Sequence, residues 1–401
     1  MPVRFFILFI CFACNMVGRG VGDSYIVFVL PLSHEFGWGR AQVSSVYSVY
    51  LLTSGLASPL TGMMVDRWGA RVVYACGLAL LGTGCLIASH LTQLWQFHLI
   101  VGMTLGMGVS MLGMVPASML ISRWFRDRLS SAMGVAYAGF GTGTLIVVPM
   151  AQYSIELQGW RSTYMGMGAI VLLLLPLLFL LPWKLMMNGV PRRARGAAAV
   201  DTSAPSPFRA AVRSRRYWQI VQVFSFTAIG MHSMIVQVVP FLVQEGLTPL
   251  SAATAFGIAG LLSVFGMMAS GWSTDRVGYR FTATSSFVAT VLGMSALVLL
   301  SYFRVHWLVV PFVLLVGISM GARGPIVASL AAREFSGTGF ATIYGTIFAC
   351  MSTGAAIGAW TSGALYDLSG GYRVGFLFSM TCMCIAAAPF WLPRPLGAPR
   401  N

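Results

Sequence analysis

Charged residues are scarce in this sequence: they make up 9% of its 401 residues, whereas hydrophobic residues make up 57%. A soluble domain carries about 25% charged residues. A folded chain of this composition could therefore not cover its surface in water. The composition excludes a soluble globular protein and predicts a membrane protein.

Other residues that are rare or absent narrow the class of membrane protein. Lys184 is the only lysine, so the chain lacks the loop G-x-x-x-x-G-K with which an ATP-driven pump holds phosphates. The seven cysteines are an odd number scattered over apolar stretches and give no disulfide framework. The 24 methionines lie mostly in the same stretches, where packing explains them better than metal binding. We predict no cofactor, no metal site and no enzymatic activity.

Hydrophobic runs are abundant, and twelve of them reach the length of about 20 residues that a helix needs to cross a bilayer. They are residues 5–31, 41–63, 72–91, 95–121, 130–152, 161–182, 216–241, 249–271, 281–302, 306–330, 338–362 and 372–393. The long connection between the sixth and seventh runs is rich in Arg, Ala, Pro and Ser, as a flexible linker is. We predict an all-α membrane protein with a six-helix bundle in 1–182, a cytoplasmic linker in 183–215 and a second six-helix bundle in 216–401.

The basic excess, 25 Lys and Arg against 10 Asp and Glu, would suggest nucleic-acid binding in a soluble protein. Here it follows the predicted topology. With the N-terminus inside, nineteen of the 25 basic residues lie in cytoplasmic segments and four in outside segments. The positive-inside rule then places both termini in the cytoplasm. We predict the lipid bilayer as a partner and no nucleic acid.

The two halves of the chain repeat each other. Residues separated by 209 positions match in four places: Pro31 with Pro240, Asp66 with Asp275, Arg71 with Arg280, and Pro116 with Pro325. Two parallel bundles fused head to tail place a substrate site at their interface, near the middle of the membrane.

One motif, G-x-x-x-D-R-x-G-x-R, occurs between the second and third runs and again between the eighth and ninth. Its residues are Gly62, Asp66, Arg67, Gly69 and Arg71 in the first copy and Gly271, Asp275, Arg276, Gly278 and Arg280 in the second. This motif is similar to the signature of the major facilitator superfamily, and the resemblance covers essentially the whole chain. It implies twelve transmembrane helices in two pseudo-symmetric bundles.

The aspartates of this motif fit a gating role. Asp66 is expected near the N-terminus of the eleventh helix and Asp275 near that of the fifth, and a helix N-terminus carries about half a positive charge. Each carboxylate could hold the opposite bundle when the cytoplasmic side is closed, with Gly62 and Gly271 allowing close approach. The alternative is that both loops are tight polar turns that only anchor the topology.

Three further stretches narrow the resemblance. They are Glu35-Phe-Gly-Trp38 followed by Ser44 and Ser45, Gly159-Trp-Arg161, and Ile343-Tyr-Gly345 with Gly354 and Gly358. These stretches look most like the bacterial monocarboxylate and oxalate/formate transporters. That group commonly binds a carboxylate with an arginine of the eighth helix, whereas residues 249–271 of this chain carry no charge. The resemblance therefore leaves the substrate class open.

Charges within a bilayer cost about 2.5 kcal/mol or more, so each one suggests a function. Asn15, Arg19 and Asp23 follow each other at intervals of four residues and form a polar stripe on the first helix. We predict that this stripe faces the cavity, where Arg19 and Arg323 of the tenth helix converge on a carboxylate. The alternatives are a static Arg19–Asp23 ion pair, and an Arg323 that caps a carbonyl or makes a polar contact between domains.

The repeat adds weaker candidates. His232 lies 209 residues after Asp23 and is either a ligand or proton carrier or a hydrogen-bonded packing residue. Tyr137 and Tyr344 could donate their hydroxyls to an anion, although periodicity does not fix which way they face.

We predict a secondary active transporter that moves a small organic anion, a mono- or dicarboxylate, together with protons by alternating access. An anion on Arg19 would weaken the support that Arg19 gives to ionised Asp23 and so favour its protonation. An efflux antiporter for drugs or other toxic compounds is the main alternative, although the Gly-Pro pair common late in its fifth helix is absent. A sensor or lipid-handling protein on the same fold is a third. The expected protein is a monomer of the bacterial inner membrane.

Overall fold

A computed structural model describes residues 2–125, 127–183, 186, 207–303, 305–337 and 339–391. Residues 187–206 of the predicted linker 183–215 lie outside the described residues. The helices of the first half are α1 (Pro2–Asp23), α2 (Tyr25–Phe36), α3 (Arg40–Leu56), α4 (Ser58–Trp68), α5 (Ala70–Ala88), α6 (Leu94–Phe97), α7 (Gly106–Leu112), α8 (Met114–Trp124) and α9 (Leu129–Leu180). A π-helical segment, His98–Leu105, joins α6 to α7.

The second half begins with the short helix α10 (Pro207–Val212). It continues with α11 (Arg215–Gln244), α12 (Pro249–Val277), α13 (Tyr279–Phe303), α14 (Val309–Glu334), α15 (Phe340–Ser369) and α16 (Arg373–Ala387). Short 3-10 helices, His306–Leu308 and Ala388–Phe390, precede α14 and follow α16.

Prolines explain two breaks in the first half. Pro59 has no N–H for the Gly55 carbonyl and its ring would clash with it, and α3 and α4 meet at this point with a bend of 42°. Pro116 has the same relation to Leu112, where α7 ends before the extended Gly113. The predicted second and fourth spans are therefore built from more than one helical segment.

Among the described residues, ten helices are long and apolar enough to cross a membrane, or eleven if the bent pair α3–α4 counts as one span. One of the ten, α9, contains 52 residues, about twice the number that a single span needs. Gly159 in its interior has φ 79° and ψ 165°, a conformation that side chains disfavour, and two helices meet there.

Two pairs of helices hold the halves together: α4 packs on α15, and α9 packs on α12. The backbones touch at glycines of the repeated motif. A Cβ on Gly62 would overlap with the α15 backbone at Ala341, and one on Gly271 would overlap with the α9 backbone at Ser130. Both contacts lie at the end of the bundle that carries the two motif copies, which we call the motif end.

Candidate functional site

A cavity of about 360 Å³ lies between the two halves. The first half lines it with Arg19 and Asp23 of α1 and with Phe140, Gly141, Thr144 and Leu145 of α9. The second half lines it with Phe256, Gly257, Gly260, Leu261, Ser263 and Val264 of α12 and with Met320 of α14. The charged groups of this cavity therefore all come from α1.

Arg19 and Asp23 form an ion pair along α1. The Arg19 Nε donates to the Asp23 Oδ2 at 2.8 Å, and the Arg19 side chain remains 32% exposed. None of the described residues accepts a hydrogen bond from the two terminal nitrogens of this guanidinium. Arg19 thus presents to the cavity a cationic fork of the kind that binds a carboxylate or phosphate in a bidentate manner.

Asp23 is held from three sides. Besides Arg19, the Tyr47 hydroxyl of α3 donates to its Oδ1 at 3.1 Å, and the Thr144 hydroxyl of α9 donates to its Oδ2 at 2.9 Å. These donors come from three different helices, α1, α3 and α9. Sequence reasoning missed Thr144, and its place in the glycine-rich run Gly141-Thr-Gly143-Thr144 gives no signal for this contact.

His232 belongs to the other half. Its Nδ1 donates to the Ala228 carbonyl at 3.0 Å, because a carbonyl can only accept. This leaves its Nε2 without a hydrogen-bond partner among the described residues. His232 is not among the residues that line the cavity.

Asn15 does not face the cavity. It is 1% exposed, and its amide nitrogen donates to the Cys11 carbonyl at 2.8 Å and to the Ala136 carbonyl of α9 at 3.1 Å. This amide clamps α1 to α9 inside the first half. The predicted polar stripe of α1 therefore divides into a packing residue and a charged pair.

Arg323 also lies away from the cavity. It is 3% exposed and turned towards α13, where its Nη2 donates to the Ser286 carbonyl at 3.2 Å and to the Thr290 hydroxyl. Its carbon Cζ stands 4.7 Å from the centre of the Phe287 ring. Its Nε and Nη1 are buried and have no hydrogen-bond partner in the described part of the chain. In this conformation Arg19 and Arg323 do not converge.

Tyr137 and Tyr344 meet at the interface of the halves. Their hydroxyl oxygens are 3.4 Å apart, and the Tyr137 hydroxyl donates to the Met114 carbonyl at 3.4 Å. Both side chains are fully buried. Tyr137 lies on α9 between the motif end and the cavity-lining residue Phe140, so the pair forms a floor beneath the cavity.

The motif aspartates contact the predicted helix N-termini. Asp66 accepts from the backbone N–H groups of Ala341 and Thr342 at 3.3 and 2.8 Å, in the first turn of α15. Asp275 accepts from those of Ser130 and Ser131 at 3.2 and 2.7 Å, in the first turn of α9. The Thr342 and Ser131 hydroxyls each add a bond of 2.7 Å. Both copies of the motif therefore join the halves with the same geometry.

The other motif residues shape the turns. Gly69 and Gly278 have φ of 83° and 99°, which glycine adopts most easily. The arginines lie over aromatic rings: Arg67 over Trp68, Arg71 over Phe179, Arg276 over Trp272 and Arg280 over Trp391. The motif thus combines aspartates that join the two halves with arginines that lie over nearby aromatic rings.

Two of the family-like stretches touch at the opposite end of the bundle. The Trp160 indole and the Arg161 guanidinium both donate to the Glu35 carboxylate. Phe36 stacks on Trp38 with ring centres 4.4 Å apart. This cluster lies entirely within the first half and stabilises the end of that half opposite the motif end.

A cavity between two repeated helical bundles that contact each other at one end is the architecture of a membrane transporter. A family profile described as Major Facilitator Superfamily matches residues 8–350. The chain belongs to the major facilitator superfamily, as its sequence motifs predict, and it is a transporter rather than an enzyme.

Curated relatives place it near the monocarboxylate group. Mouse monocarboxylate transporter 12 is 24% identical over 393 residues, which cover 92% of this chain and 80% of that protein. Rat monocarboxylate transporter 13 is 28% identical over 361 residues, which cover 89% and 81%. The predicted resemblance to monocarboxylate transporters is confirmed, here with animal proteins.

Solved structures share the fold. The proton:xylose symporter XylE aligns with a TM-score of 0.80 at 13% identity, covering 97% of this chain and 95% of that one. The human organic anion transporter MFSD10 aligns with a TM-score of 0.72 at 18% identity, covering 97% and 99%. At these identities the likeness establishes the helical fold.

Proposed function

We propose that this protein carries a small organic anion, a carboxylate, across the membrane together with protons. The observation that supports the substrate class most directly is the Arg19 guanidinium, whose two terminal nitrogens have no acceptor among the described residues and which lines the cavity. A carboxylate is the simplest group that pairs with both nitrogens at once.

The proton enters through Asp23. In the empty site Arg19, Tyr47 and Thr144 all donate to its carboxylate. A substrate carboxylate on Arg19 brings a second negative charge beside Asp23 in a setting largely shielded from water, which favours protonation of Asp23. Anion and proton then cross as a neutral pair. His232 is the second candidate to bind or relay the proton, since its Nε2 has no described partner.

The architecture that goes with this function has twelve spans. The span counts agree with it if α9 is divided at Gly159 and α3–α4 is one span. We place the motif end, both termini and the linker on the cytoplasmic side, because nineteen basic residues fall there. The host membrane is the cytoplasmic membrane of a bacterium, and the working unit is a monomer.

In this orientation the described conformation is closed towards the cytoplasm. Asp66 and Asp275 hold the two bundles together at the motif end, and Tyr137 and Tyr344 form the floor above them. Release of both latches would let the bundles rock and open the cavity to the cytoplasm.

Uptake into proteoliposomes tests the proposal. With the outside acid, wild type should accumulate at least one member of a panel of monocarboxylates and dicarboxylates. Arg19→Ala should lose uptake by about 100-fold, since it removes two charge-assisted hydrogen bonds. Arg209→Ala, at an exposed position of α10 outside the cavity, serves as the matched control and should transport as wild type does. If no anion is taken up, and the protein instead extrudes toxic compounds, the proposal is wrong and the efflux alternative holds.

A further inference from the structure

The two walls of the cavity differ in character. The α1–α9 wall carries Arg19, Asp23 and Thr144. The facing wall, which we call the α12 wall, consists of Phe256, Gly257, Gly260, Leu261 and Val264 and carries no charge. Ser263 also lines the cavity, but its hydroxyl already donates to the Gly260 carbonyl at 2.6 Å.

Two glycines of the α12 wall are not required by packing. A Cβ on Gly257 or Gly260 would meet no heavy atom within 4 Å. Other glycines of the same helix behave differently: a Cβ on Gly266 would overlap with the α14 backbone, and one on Gly271 with the α9 backbone. The absent side chains of Gly257 and Gly260 therefore leave room on the side of the cavity that faces Arg19.

The volume is also larger than a two- or three-carbon acid fills. A cavity of about 360 Å³ falls in the range of sites that take drug-sized molecules, roughly 300–1,000 Å³. A short acid on Arg19 would leave the α12 wall in contact with water. A second carboxylate placed against that wall would lose its hydration without meeting a cation.

We infer that the transported anion is a monocarboxylate with a bulky apolar body, aromatic or branched, and that Gly257 and Gly260 set the size of body accepted. This inference rests on the proposed function, because it takes Arg19 as the anchor of the carboxylate. The anion lies with its charged end on the α1–α9 wall and its body on the α12 wall.

Binding to the purified protein tests it. The probes are acetate, butyrate, hexanoate, 3-phenylpropionate and succinate, measured by calorimetry. Wild-type affinity should rise about fourfold for each added CH₂ that is buried, and 3-phenylpropionate should bind at least about tenfold more tightly than butyrate. Succinate should bind more weakly than butyrate.

Variants of Gly257 and Gly260 test the α12 wall separately from Arg19, which binds the carboxylate. Gly260→Leu and Gly257→Leu should lower the ratio of 3-phenylpropionate to acetate affinity by about tenfold or more, because two to three buried CH₂ groups are displaced. Gly260→Ala should lower it by less. Gly166→Leu is the matched control: it is a helical glycine with nothing within 4 Å of its Cβ, outside the cavity lining, and its ratio should stay that of wild type.

The failures are distinguishable. If none of the five anions binds, the proposed function fails with the inference. If they bind with affinities that do not depend on the apolar body, or if succinate is preferred, the proposed function survives and the inference is overturned. An unchanged ratio in Gly260→Leu, with the variant folded and binding acetate, overturns the role of that position.

Discussion

Arg19 and Arg323 are both arginines in membrane-spanning helices, yet they differ in exposure and in the partners of their guanidinium groups. Arg19 is 32% exposed, lines the cavity and is paired with Asp23 at 2.8 Å. Arg323 is 3% exposed, has no acidic partner in the described structure, and leaves its Nε and Nη1 without acceptors. Two arginines deep in spans of the same protein therefore lie in different environments.

If the proposed function holds, the difference shows what an anion site in a membrane requires. The Arg19 charge is balanced by Asp23 when the site is empty, and its remaining donors face a space that a ligand can enter. Among the described residues, the Arg323 charge is met by a carbonyl, a hydroxyl and the Phe287 ring, and the side chain is 3% exposed and does not line the cavity. In this conformation the first arrangement leaves donors that a ligand can reach, whereas the second is enclosed.

The largest effect should come from the acid of the pair. With one proton per anion, a gradient of one pH unit should drive about tenfold accumulation in wild type. Asp23→Asn should abolish this accumulation and leave only equilibration, because the amide cannot take up the proton. Tyr47→Phe, which removes one donor to the same carboxylate, should retain the gradient-driven phase. Full accumulation by Asp23→Asn in acid-outside proteoliposomes would exclude Asp23 as the coupling group.

Replacing Arg19 by lysine sharpens the comparison between charge and geometry. Arg19→Lys keeps the cation but replaces a planar fork by a point charge, so carboxylate affinity should fall about tenfold to 100-fold. The measurement is the Kd of 3-phenylpropionate. Arg209→Lys is the control and should bind as wild type does. An affinity equal to wild type in Arg19→Lys would mean that the fork is not used.

A smaller effect is expected at the latches. Asp66→Asn and Asp275→Asn each remove a charge from a helix N-terminus, an interaction worth about 0.3–1 kcal/mol, so each should favour opening of the motif end two- to fivefold. Spin labels at Trp68 and Trp272, which are 53% and 54% exposed, report the distance between the halves once the cysteines that are not buried, Cys76, Cys350 and Cys384, are replaced by serine. The two variants should shift the distance distribution by similar amounts. A shift in only one of them would break the symmetry of the repeat.

The smallest effect on transport should come from Arg323. Arg323→Met removes a buried charge with unsatisfied donors and keeps most of the volume, so the melting temperature should stay the same or rise. Uptake should change by less than about threefold. Arg19→Met, in contrast, should lose uptake. If Arg323→Met lost substrate binding while remaining folded, both arginines would belong to the site in another conformation.

The charged pair could be predicted from the sequence because it is local. The motif contacts join residues 275 and 145 positions apart, and they could be predicted because the repeat and the family resemblance place each motif opposite a helix N-terminus. The motif fixes a turn next to a helix terminus, and Arg19 and Asp23 are four residues apart on one helix. Asn15 does not share the cavity-facing side of α1 with Asp23, because every four residues turn a helix by about 40° beyond a full circle. Over the eight residues from Asn15 to Asp23 this rotation adds up to about 80°.

The direction of Arg323 could not be predicted, since helix α14 is apolar on all sides and periodicity gives it no face. Thr144 was missed because it lies between Gly143 and Leu145 in a hydrophobic helix, two residues after a second threonine, Thr142, and nothing in this spacing distinguishes it. The meeting of Tyr137 with Tyr344 depends on how two bundles are docked, which sequence spacing within one bundle does not determine.

Proton uptake on substrate binding tests the central claim most directly. When 3-phenylpropionate, or whichever anion binds most tightly, saturates the purified protein in weakly buffered solution near neutral pH, the wild type should take up about one proton per anion. Asp23→Asn should bind the anion and take up none. Binding without proton uptake in the wild type, or equal uptake in Asp23→Asn, would contradict the coupling of Arg19 and Asp23.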